Sequence, residues 1–324
     1  MIHRRSLAAA LALPFLASGA KAQGTYPSGP VRLIVPFAAG GTADIFARII
    51  AEHLRSTLGK PFVVENVGGA GSTIGIGQLA RAQPDGQTLC LASTGGLAIA
   101  PVLNRGGVPY KPEELAAVGQ VSVVPNVLAV SPGKIPARSV PELIEHLKAN
   151  PGKVAYGSAG VGTSQHLAAE LFQMMTGTSM VHVPYRGSSQ MLPDLLAGSV
   201  ELAFDNVPLI LPHAREGRLR LLATATAERA EFDPALPAVA EYLPGFEATA
   251  WHGIVAPAHT PRPVIEVLAR EIGALMRQPA TAARFRELGA VAVATGPDEF
   301  AAHIRAEIRR WRSVIEARNI RPDA

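Results

Sequence analysis

The chain has 324 residues, of which 48% are hydrophobic and 17% charged, so it is not disordered and can bury a sizeable core. A chain of this length is longer than a single compact core usually requires, and it is long enough to form two lobes. Because residues 1–22 hold three of the 30 Lys and Arg and none of the 26 Asp and Glu, the remaining chain has a net charge of +1, and its charge gives no sign of nucleic-acid binding.

The first 22 residues have the organisation of a cleavable export signal. Arg4 and Arg5 form a basic start, residues 7–20 are apolar or small, and residues 20–22 read Ala-Lys-Ala, which fits the small-x-small cleavage pattern. The apolar part is too short for a membrane anchor. We therefore predict a signal peptide over residues 1–22 and a periplasmic mature protein. The two arginines leave open whether the general or the twin-arginine export route is used.

From residue 31 onward, strand-like runs alternate with helical patterns, and this alternation predicts a mostly parallel sheet with helices on its faces. The predicted elements of the first part are a strand at Val31–Val35, a helix from Ile45 to Leu58 ended by Gly59, a strand at Phe62–Val64, a glycine-rich loop at 66–77 and a strand at Thr88–Ala92. Cys90, the only cysteine, lies in the last of these runs, so we predict a buried thiol and no disulfide.

The same alternation restarts after the middle of the chain. The predicted elements are a helix capped by Ser139 and Glu142 and ending near Lys148, a strand at Val154–Tyr156, a helix marked by Leu167, Leu171, Met174 and Met175, and helices at 263–277 and 297–318. The last helix has an apolar face formed by Phe300, Ile304, Ile308, Trp311 and Ile315. The apolar runs at 127–130 and 253–256 end in proline turns and lack a following helix, so we interpret them as strands that connect two lobes. This interpretation predicts a discontinuous first lobe of residues 23–125 and 250–324 and a second lobe of residues 126–249.

The loop from Pro36 to Asp44 is the first candidate binding site. It lies between the carboxyl end of a predicted strand and the amino end of a predicted helix, where free N–H groups and the helix dipole attract anions. No Gly-Lys-Ser/Thr sequence follows, so the loop is not a P-loop. With little net positive charge, we expect a carboxylate rather than a polyphosphate. A tight turn that needs glycine only for its backbone conformation is the structural alternative.

The loop from Ser158 to Thr163 has the same position in a second strand-helix unit. It adds hydroxyl groups, and His166 follows one turn into the helix. One such loop from each lobe would create two opposed anion sites. A dicarboxylate, or an acid with a second polar end, would bridge them and favour a closed form.

Enzyme signatures fit the sequence poorly. Residues 156–160 resemble a nucleophile elbow, but Tyr156 stands where the pattern requires glycine, which leaves a hydrolase that uses Ser158 and His166 as a weak alternative. Residues 75–80 match G-x-G-x-x-A but lie nearly a dozen residues beyond the nearest predicted strand, with no acidic residue about twenty residues on. The nine histidines form no local metal-binding motif, and we interpret His182, His252 and His259 as structural or surface residues. We therefore predict a binding protein without cofactor or metal, and not an enzyme.

An ordered set of motifs resembles the substrate-binding receptors of tripartite tricarboxylate transporters, also called Bug proteins. The motifs are Val35–Gly41 with Asp44 and Arg48, Val64–Asn66 with Gly69–Gly71, Pro84–Gly86, Tyr156–Ser158 with Gly162, Thr163, His166 and Leu167, His182–Gly187, Trp251–Ile254 and Ala256–Ala258. The resemblance covers essentially the whole mature chain.

This resemblance implies a type II periplasmic-binding-protein fold, an α/β fold of two lobes with a ligand cleft between them. It further implies a monomer that captures a small carboxylate by lobe closure and delivers it to a two-subunit membrane permease. A receptor that signals to a membrane sensor instead of a permease is an open alternative. The ligand-binding residues that we predict are Phe37, Ala38, Gly40, Gly41, Asp44, Gly71, Ser158, Gly160, Thr163, His166, Tyr185 and Asp205.

Two features of the sequence leave the choice of ligand open. Ala39, Val67 and Ser72 stand where the family usually has other residues, and the last two lie in a loop that is expected near the cleft. Asp44 would either select an amine on the ligand or cap its own helix.

Overall fold

The computed structural model describes residues 26–104, 106–317 and 320–321. The predicted signal peptide lies outside these ranges. Within them, no helix combines the length and apolar character needed to cross a membrane.

The described strands form two separate sheets. In chain order the strands are β1 (Val31–Val35), β2 (Phe62–Asn66), β3 (Thr88–Ser93), β4 (Leu115–Val124), β5 (Asn126–Val130), β6 (Ala155–Ser158), β7 (Val181–Pro184), β8 (Leu202–Asn206), β9 (Arg220–Thr224), β10 (Ala250–Pro257) and β11 (Val291–Ala292). The strand order is β11-β4-β10-β3-β1-β2 in the first sheet and β7-β6-β8-β5-β9 in the second. The molecule therefore has two α/β lobes, one around each sheet.

Both sheets are mixed, so the prediction of a mostly parallel sheet was wrong. Strand β1 runs parallel to β2 and β3, and β6 runs parallel to β7 and β8. In contrast, β10 is antiparallel to β3 and β4, and β5 is antiparallel to β8 and β9. Parallel neighbours in a sheet need a long crossover connection, usually a helix. Strand β4 instead passes to β5 through Pro125 alone, and this short connection carries the chain from the first sheet into the second. The proline-flanked runs at β5 and β10 are the strands that depart from the βαβ pattern.

The helices cover the two sheets. In chain order they are α1 (Thr42–Leu58), α2 (Thr73–Ala80), α3 (Ala100–Leu103), α4 (Val140–Ala149), α5 (Ser164–Thr176), α6 (Ser188–Ala197), α7 (Val207–Arg215), α8 (Arg262–Met276), α9 (Pro279–Glu287) and α10 (Pro297–Ala317). The predicted ends of α1 and α4 are confirmed, because Gly59 adopts a left-handed conformation after α1 and the Ser139 side chain accepts a hydrogen bond from the Glu142 N–H.

The glycine-rich stretch at 66–77 is only partly a loop, because α2 begins at Thr73 and contains Gly75 and Gly77. A Cβ atom at Gly75 would lie 2.8 Å from Pro36, so this glycine allows α2 to pack closely on the first loop. The G-x-G-x-x-A match therefore lies inside a helix and not at a strand-to-helix turn.

The core confirms two of the sequence predictions. Cys90 is completely buried in β3, and burial raises the pKa of its thiol. In α10, Phe300, Trp311 and Ile315 are buried along one face, as the helical spacing predicted. At the junction of α10 with the first sheet, the Trp251 indole donates a hydrogen bond to Glu307 at 3.0 Å.

Candidate functional site

A small cavity of about 30 Å³ lies between the two lobes. Its lining comes from Phe37, Gly41, Thr42, Ala43, Ser93, Ala250 and His252 of the first lobe and from Ala159, Ser164, Gln165, Ser188 and Asn206 of the second. These residues are mostly small and polar, and none of them is a lysine or an arginine.

Four helices begin at this cavity. Strands β6, β7 and β8 are parallel, so the helices that follow them start at the same edge of the second sheet. Helices α5, α6 and α7 accordingly begin at the lining residues Ser164 and Ser188 and just after Asn206, while α1 approaches from the first lobe with Thr42. Each helix amino end carries roughly half a positive charge. The cavity therefore attracts anions without a cationic side chain in its lining.

The amino end of α1 is open toward the cavity. The residue before the helix is Gly41, which has no side chain to cap the free N–H groups. Thr42 is only 4% exposed, and its hydroxyl has no hydrogen-bond partner among the described residues. A buried hydroxyl without a partner costs free energy, so a ligand oxygen that accepts its hydrogen bond would remove this cost.

Asp44 holds the first loop together from within its own lobe. Its carboxylate accepts hydrogen bonds from the Gly40 N–H at 2.9 Å, from two nitrogens of Arg48 at 3.0 Å and from the Asn66 amide at 3.1 Å. Burial alone would raise the pKa of Asp44, but these hydrogen bonds outweigh it and the pKa is lowered. Four donors occupy the acceptor capacity of the carboxylate, so it is engaged by the loop and not directed at the cavity.

His252 reaches the cavity from β10, where it pairs with the lining residue Ser93 of β3. Its Nδ1 atom lies 3.0 Å from the Ser122 hydroxyl. Burial lowers the pKa of His252 to about 4, so the imidazole is neutral at neutral pH. A neutral ring places one N–H donor or one acceptor at the cavity without adding charge.

The second loop is closed on itself. The Ser158 hydroxyl lies 2.6 Å from His182 Nε2 and accepts a hydrogen bond from the Gly160 N–H. Thr163 caps α5 by accepting from the His166 N–H, and its own hydroxyl donates to the Gly160 carbonyl at 2.7 Å. Ser158, Thr163 and His166 are all buried and do not line the cavity.

Aromatic stacking extends this internal network. The His182 ring stacks between the rings of His166 at 4.5 Å and Tyr156 at 4.7 Å. The Tyr156 hydroxyl donates to Glu170 at 2.7 Å. The hydrolase alternative required Ser158 to pair with His166, but Ser158 pairs with His182. Both Ser158 and His182 belong to the packing of the second lobe.

The lobes touch through backbone at glycines. A Cβ atom at Gly71 would lie 1.8 Å from the Val161 carbonyl oxygen, and one at Gly160 would lie 3.1 Å from the Gly71 nitrogen. Nearby, the Ala38 N–H donates a hydrogen bond across the cleft to the Arg186 carbonyl at 3.3 Å. Three of the predicted site residues, Ala38, Gly71 and Gly160, thus lie at the contact between the lobes.

The remaining predicted residues take different positions. Phe37 and Gly41 line the cavity, and Gly40 bonds to Asp44 beside it. The Tyr185 hydroxyl donates to Asp194 at 2.5 Å, and burial together with this bond raises its pKa to about 12. Asp205 lies behind the lining, where it accepts hydrogen bonds from Gln165 and Ser188.

None of the polar side chains that line the cavity was among the predicted ligand-binding residues. The missed lining residues are Thr42, Ala43, Ser93, Ala159, Ser164, Gln165, Ser188, Asn206, Ala250 and His252. Ser188 and Asn206 had a usable signal, since each stands where a helix follows a strand, but β7, β8 and the helices after them were not predicted. His252 was interpreted as a structural or surface residue. It carries no local signal, because its position depends on the pairing of β10 with β3.

A larger groove of about 610 Å³ lies elsewhere, lined by residues 226–232, α9 and β11. None of the described helices begins at a residue that lines it, so it lacks the feature that makes the smaller cavity attractive to anions. Across the described ranges, no cluster of three or more His, Cys, Asp or Glu side chains could hold a metal ion.

Comparison with known proteins identifies relatives of this architecture. The family described as "Tripartite tricarboxylate transporter family receptor" matches residues 46–320. Protein BugT of Bordetella pertussis is 39% identical over 298 residues, which cover 90% of each chain. Among solved structures, Rpa4515 of R. palustris with adipate superimposes with a TM-score of 0.88 at 35% identity, covering 92% of this chain and 100% of that one. MatC of Rhodopseudomonas palustris with bound malate has a TM-score of 0.85 at 29% identity, covering 90% and 100%.

Proposed function

The chain belongs to the tripartite tricarboxylate transporter receptor family, and we propose on this basis that it is a solute-binding receptor which captures a small carboxylate in the cavity between its lobes. The observation that carries the proposal is the convergence of four helix amino ends on a cavity without lysine or arginine. Partial charges of this size suit one or two carboxylate groups, whereas a polyphosphate would need cationic side chains.

The ligand that suits this cavity best is a dicarboxylate or an acid with a second polar end. One carboxylate would lie at the amino end of α1, near the Thr42 hydroxyl and the backbone of Phe37 to Gly41. The other end would face Ser164, Ser188 and Asn206 of the second lobe. Adipate and malate, which related proteins bind, are both dicarboxylates.

Capture requires the lobes to move against each other, because a cavity of about 30 Å³ has the volume of about one water molecule and admits no dicarboxylate until the lobes separate. We propose that residues 23–125 with 250–324 move as one unit and residues 126–249 as the other, about the two connections near Pro125 and Thr249. Ligand contacts to both lobes would favour the closed form. In this proposal the mature protein is a monomer in the periplasm after removal of residues 1–22, and the closed form delivers its ligand to a two-subunit membrane permease.

Within this proposal the predicted residues divide into three roles. Phe37 and Gly41 offer backbone to the ligand, together with the side chains of Thr42 and His252. The Ala38 N–H belongs to the contact between the lobes through Arg186, and the Gly40 N–H holds the first loop through Asp44. Gly71 and Gly160 allow the lobes to meet. Asp44, Ser158, Thr163, His166, Tyr185 and Asp205 act from behind by holding loops and lining residues in place.

A receptor that signals to a membrane sensor would use the same cavity, and a co-purified partner would separate that alternative from delivery to a permease. The hydrolase alternative finds no support in the site. Ser158 does form a short contact with a histidine, but its hydroxyl is completely buried and lies outside the cavity lining. We propose no catalytic role for it.

The test is a thermal-shift screen of residues 23–324 against carboxylates, amino acids, sugars and nucleotides. A ligand at 100 times its Kd adds roughly 2.7 kcal/mol to the free energy of unfolding, so a true ligand raises Tm clearly. We expect this rise from a narrow group of dicarboxylates. A rise with sugars or nucleotides alone would overturn the proposed function.

A further inference from the structure

Asp205 joins three of the side chains or backbone groups that line the second-lobe half of the cavity. Its Oδ1 atom accepts hydrogen bonds from the Ser188 hydroxyl at 2.7 Å, the Asn206 N–H at 2.7 Å and the Gln165 amide at 3.2 Å. Ser188, Asn206 and Gln165 all line the cavity, while Asp205 lies behind them. One carboxylate oxygen therefore sets the orientation of three groups that face the ligand.

The other oxygen of the same carboxylate, Oδ2, differs from Oδ1 in its hydrogen bonding. Asp205 is 0% exposed, and its Oδ2 atom is buried without a hydrogen-bond partner in the described part of the chain. Burial raises the pKa of Asp205 to about 6, and the hydrogen bonds from Ser188, Asn206 and Gln165 offset only part of this effect. A proton can be added at Oδ2 while Oδ1 keeps its three donors.

No neighbouring charge offsets the effect of burial on the pKa of Asp205. Strand β5, which pairs with β8, contains no titratable side chain. The titratable side chains of the other elements packed on β8 are Tyr156 of β6, His166 and Glu170 of α5, Asp194 of α6, and His213 and Arg215 of α7. None of them contributes to the raised pKa, whose cause is burial. Across the cavity stands His252, which is neutral at neutral pH.

A carboxylate ligand would bring a second negative charge close to Asp205 in surroundings that screen charge poorly. We propose that binding is coupled to proton uptake at Asp205, so that the receptor holds an anionic ligand more tightly as the medium becomes more acidic. This inference rests on the proposed function. Asp205 is a positioning residue here: the proton comes from solvent and stays on its carboxyl group, and no bond to the ligand is made or broken.

The sign of the effect follows from linkage. The ligand's charge raises the pKa of Asp205 above its value in the free protein, so between these two values only the complex carries the proton. Affinity therefore increases as pH falls through this window and levels off below about pH 6, where the free protein is protonated as well. Each unit by which the ligand raises the pKa corresponds to a tenfold change in affinity.

The experiment measures Kd by calorimetry for adipate and malate between pH 5.5 and 8, in buffers of different ionisation enthalpy so that proton uptake is counted. For the mature protein we expect roughly tenfold tighter binding at the acidic end and uptake of a fraction of a proton near pH 6.5. Asp205→Asn keeps the shape and an acceptor for the three donors but cannot be protonated. In this variant, proton uptake on binding should fall to the amount that the ligand itself takes up, and Kd should depend less on pH.

Asp233→Asn is the matched control, because Asp233 is also in the second lobe but caps the Ala235 N–H outside the cavity. It should retain the pH dependence of Kd of the parent protein.

Ser188→Ala gives an independent test should Asp205→Asn not fold. Loss of a donor to Oδ1 should move the midpoint of the dependence of Kd on pH to higher pH. Equal proton uptake in Asp205→Asn and the parent, or an unmoved midpoint in Ser188→Ala, would overturn the inference. Absence of any dicarboxylate binding by the parent protein would instead contradict the proposed function.

Discussion

The two glycine-rich loops look alike in sequence but differ in what their polar groups do. In the first loop, at residues 36–44, the helix start has no side-chain cap and the Thr42 hydroxyl lacks a partner among the described residues. In the second loop, at residues 158–163, Thr163 caps its helix and Ser158 accepts the Gly160 N–H. The first loop leaves donors available for a ligand, whereas the second has used its donors internally.

A glycine-rich strand-to-helix loop is therefore an anion site only where its N–H and hydroxyl groups remain without hydrogen-bond partners. In the second lobe the polar side chains that line the cavity come from the residues just after the loop and from the starts of α6 and α7. The second loop instead forms the backbone contact with the first lobe at Gly71. The predictions that follow test this division of roles.

The largest effect should come from Gly71→Ala. The added Cβ would overlap the Val161 carbonyl at 1.8 Å, so the lobes could not close on the ligand. We expect at least roughly a 100-fold rise in the Kd of the ligand identified by the thermal-shift screen, about 2.7 kcal/mol. Calorimetry measures the affinity, and small-angle X-ray scattering with ligand checks that the protein stays open.

Gly59→Ala is the control for Gly71→Ala. Gly59 has a similar positive φ, 70° against 60°, but an added Cβ meets nothing within 4 Å. It should destabilise the protein by about 1 kcal/mol through backbone strain without changing affinity. Normal affinity in Gly71→Ala would show that the second loop does not meet the first lobe in the bound state.

The two halves of the cavity should respond to pH in opposite directions. His252 has a pKa lowered from 6.5 to about 4, so its contribution to stability is lost as pH falls toward 4. Asp205 has a pKa raised from 3.8 to about 6, so its contribution is greatest at low pH and is lost as pH rises toward 6. Between pH 4.5 and 7 each contributes about 2 kcal/mol of opposite sign.

Single variants should separate these contributions. In His252→Asn the free energy of unfolding should fall more steeply than in the parent protein as pH rises from 4.5 to 7, because His252 no longer offsets the Asp205 effect. In Asp205→Asn it should rise over the same range. Urea unfolding at several pH values measures both. Parallel pH profiles for the two variants would contradict the assigned pKa directions.

Thr42→Val should weaken ligand binding by roughly tenfold, about 1.4 kcal/mol, because the ligand loses a hydrogen bond from a buried hydroxyl. The stability of the free protein should be unchanged or slightly higher, since the hydroxyl has no partner in the described structure.

Thr163→Val is the counterpart of Thr42→Val in the second loop. It should lower the free energy of unfolding by about 1 kcal/mol through loss of the α5 cap and leave affinity within a factor of about two. Calorimetry measures the affinities and urea unfolding the stabilities. A loss of affinity in Thr163→Val together with a loss of stability in Thr42→Val would show that the second loop, and not the first, contacts the ligand.

The smallest effect on binding should come from Ser158→Ala. Loss of this hydroxyl leaves His182 and the Gly160 N–H without their shared partner, so we expect about 1 kcal/mol of destabilisation. Affinity measured by calorimetry should remain within a factor of about two, because Ser158 does not line the cavity. Turnover of a bound ligand that disappears in this variant would revive the hydrolase alternative.

Features that depend on neighbouring residues could be predicted from the sequence. Apolar periodicity located α1, α8 and α10, Gly59 and Ser139 marked helix ends, and the motif order identified the family. Such signals act over a few residues, where φ/ψ preferences, capping and side-chain spacing are local. The first loop could be recognised for the same reason, since a strand, glycines and a helix follow one another directly.

Which polar groups face the cavity depends on how distant parts of the chain pack together. His252 reaches the cavity because β10 pairs with β3, and Ser188 and Asn206 reach it because β6, β7 and β8 share an edge. Asp44 is turned away from it by Arg48 and Asn66, and Gly71 matters because Val161 of the other lobe lies against it. These outcomes depend on contacts between residues far apart in the chain. Local propensity carries no information about them, because hydrogen-bond satisfaction is settled only when the lobes are assembled.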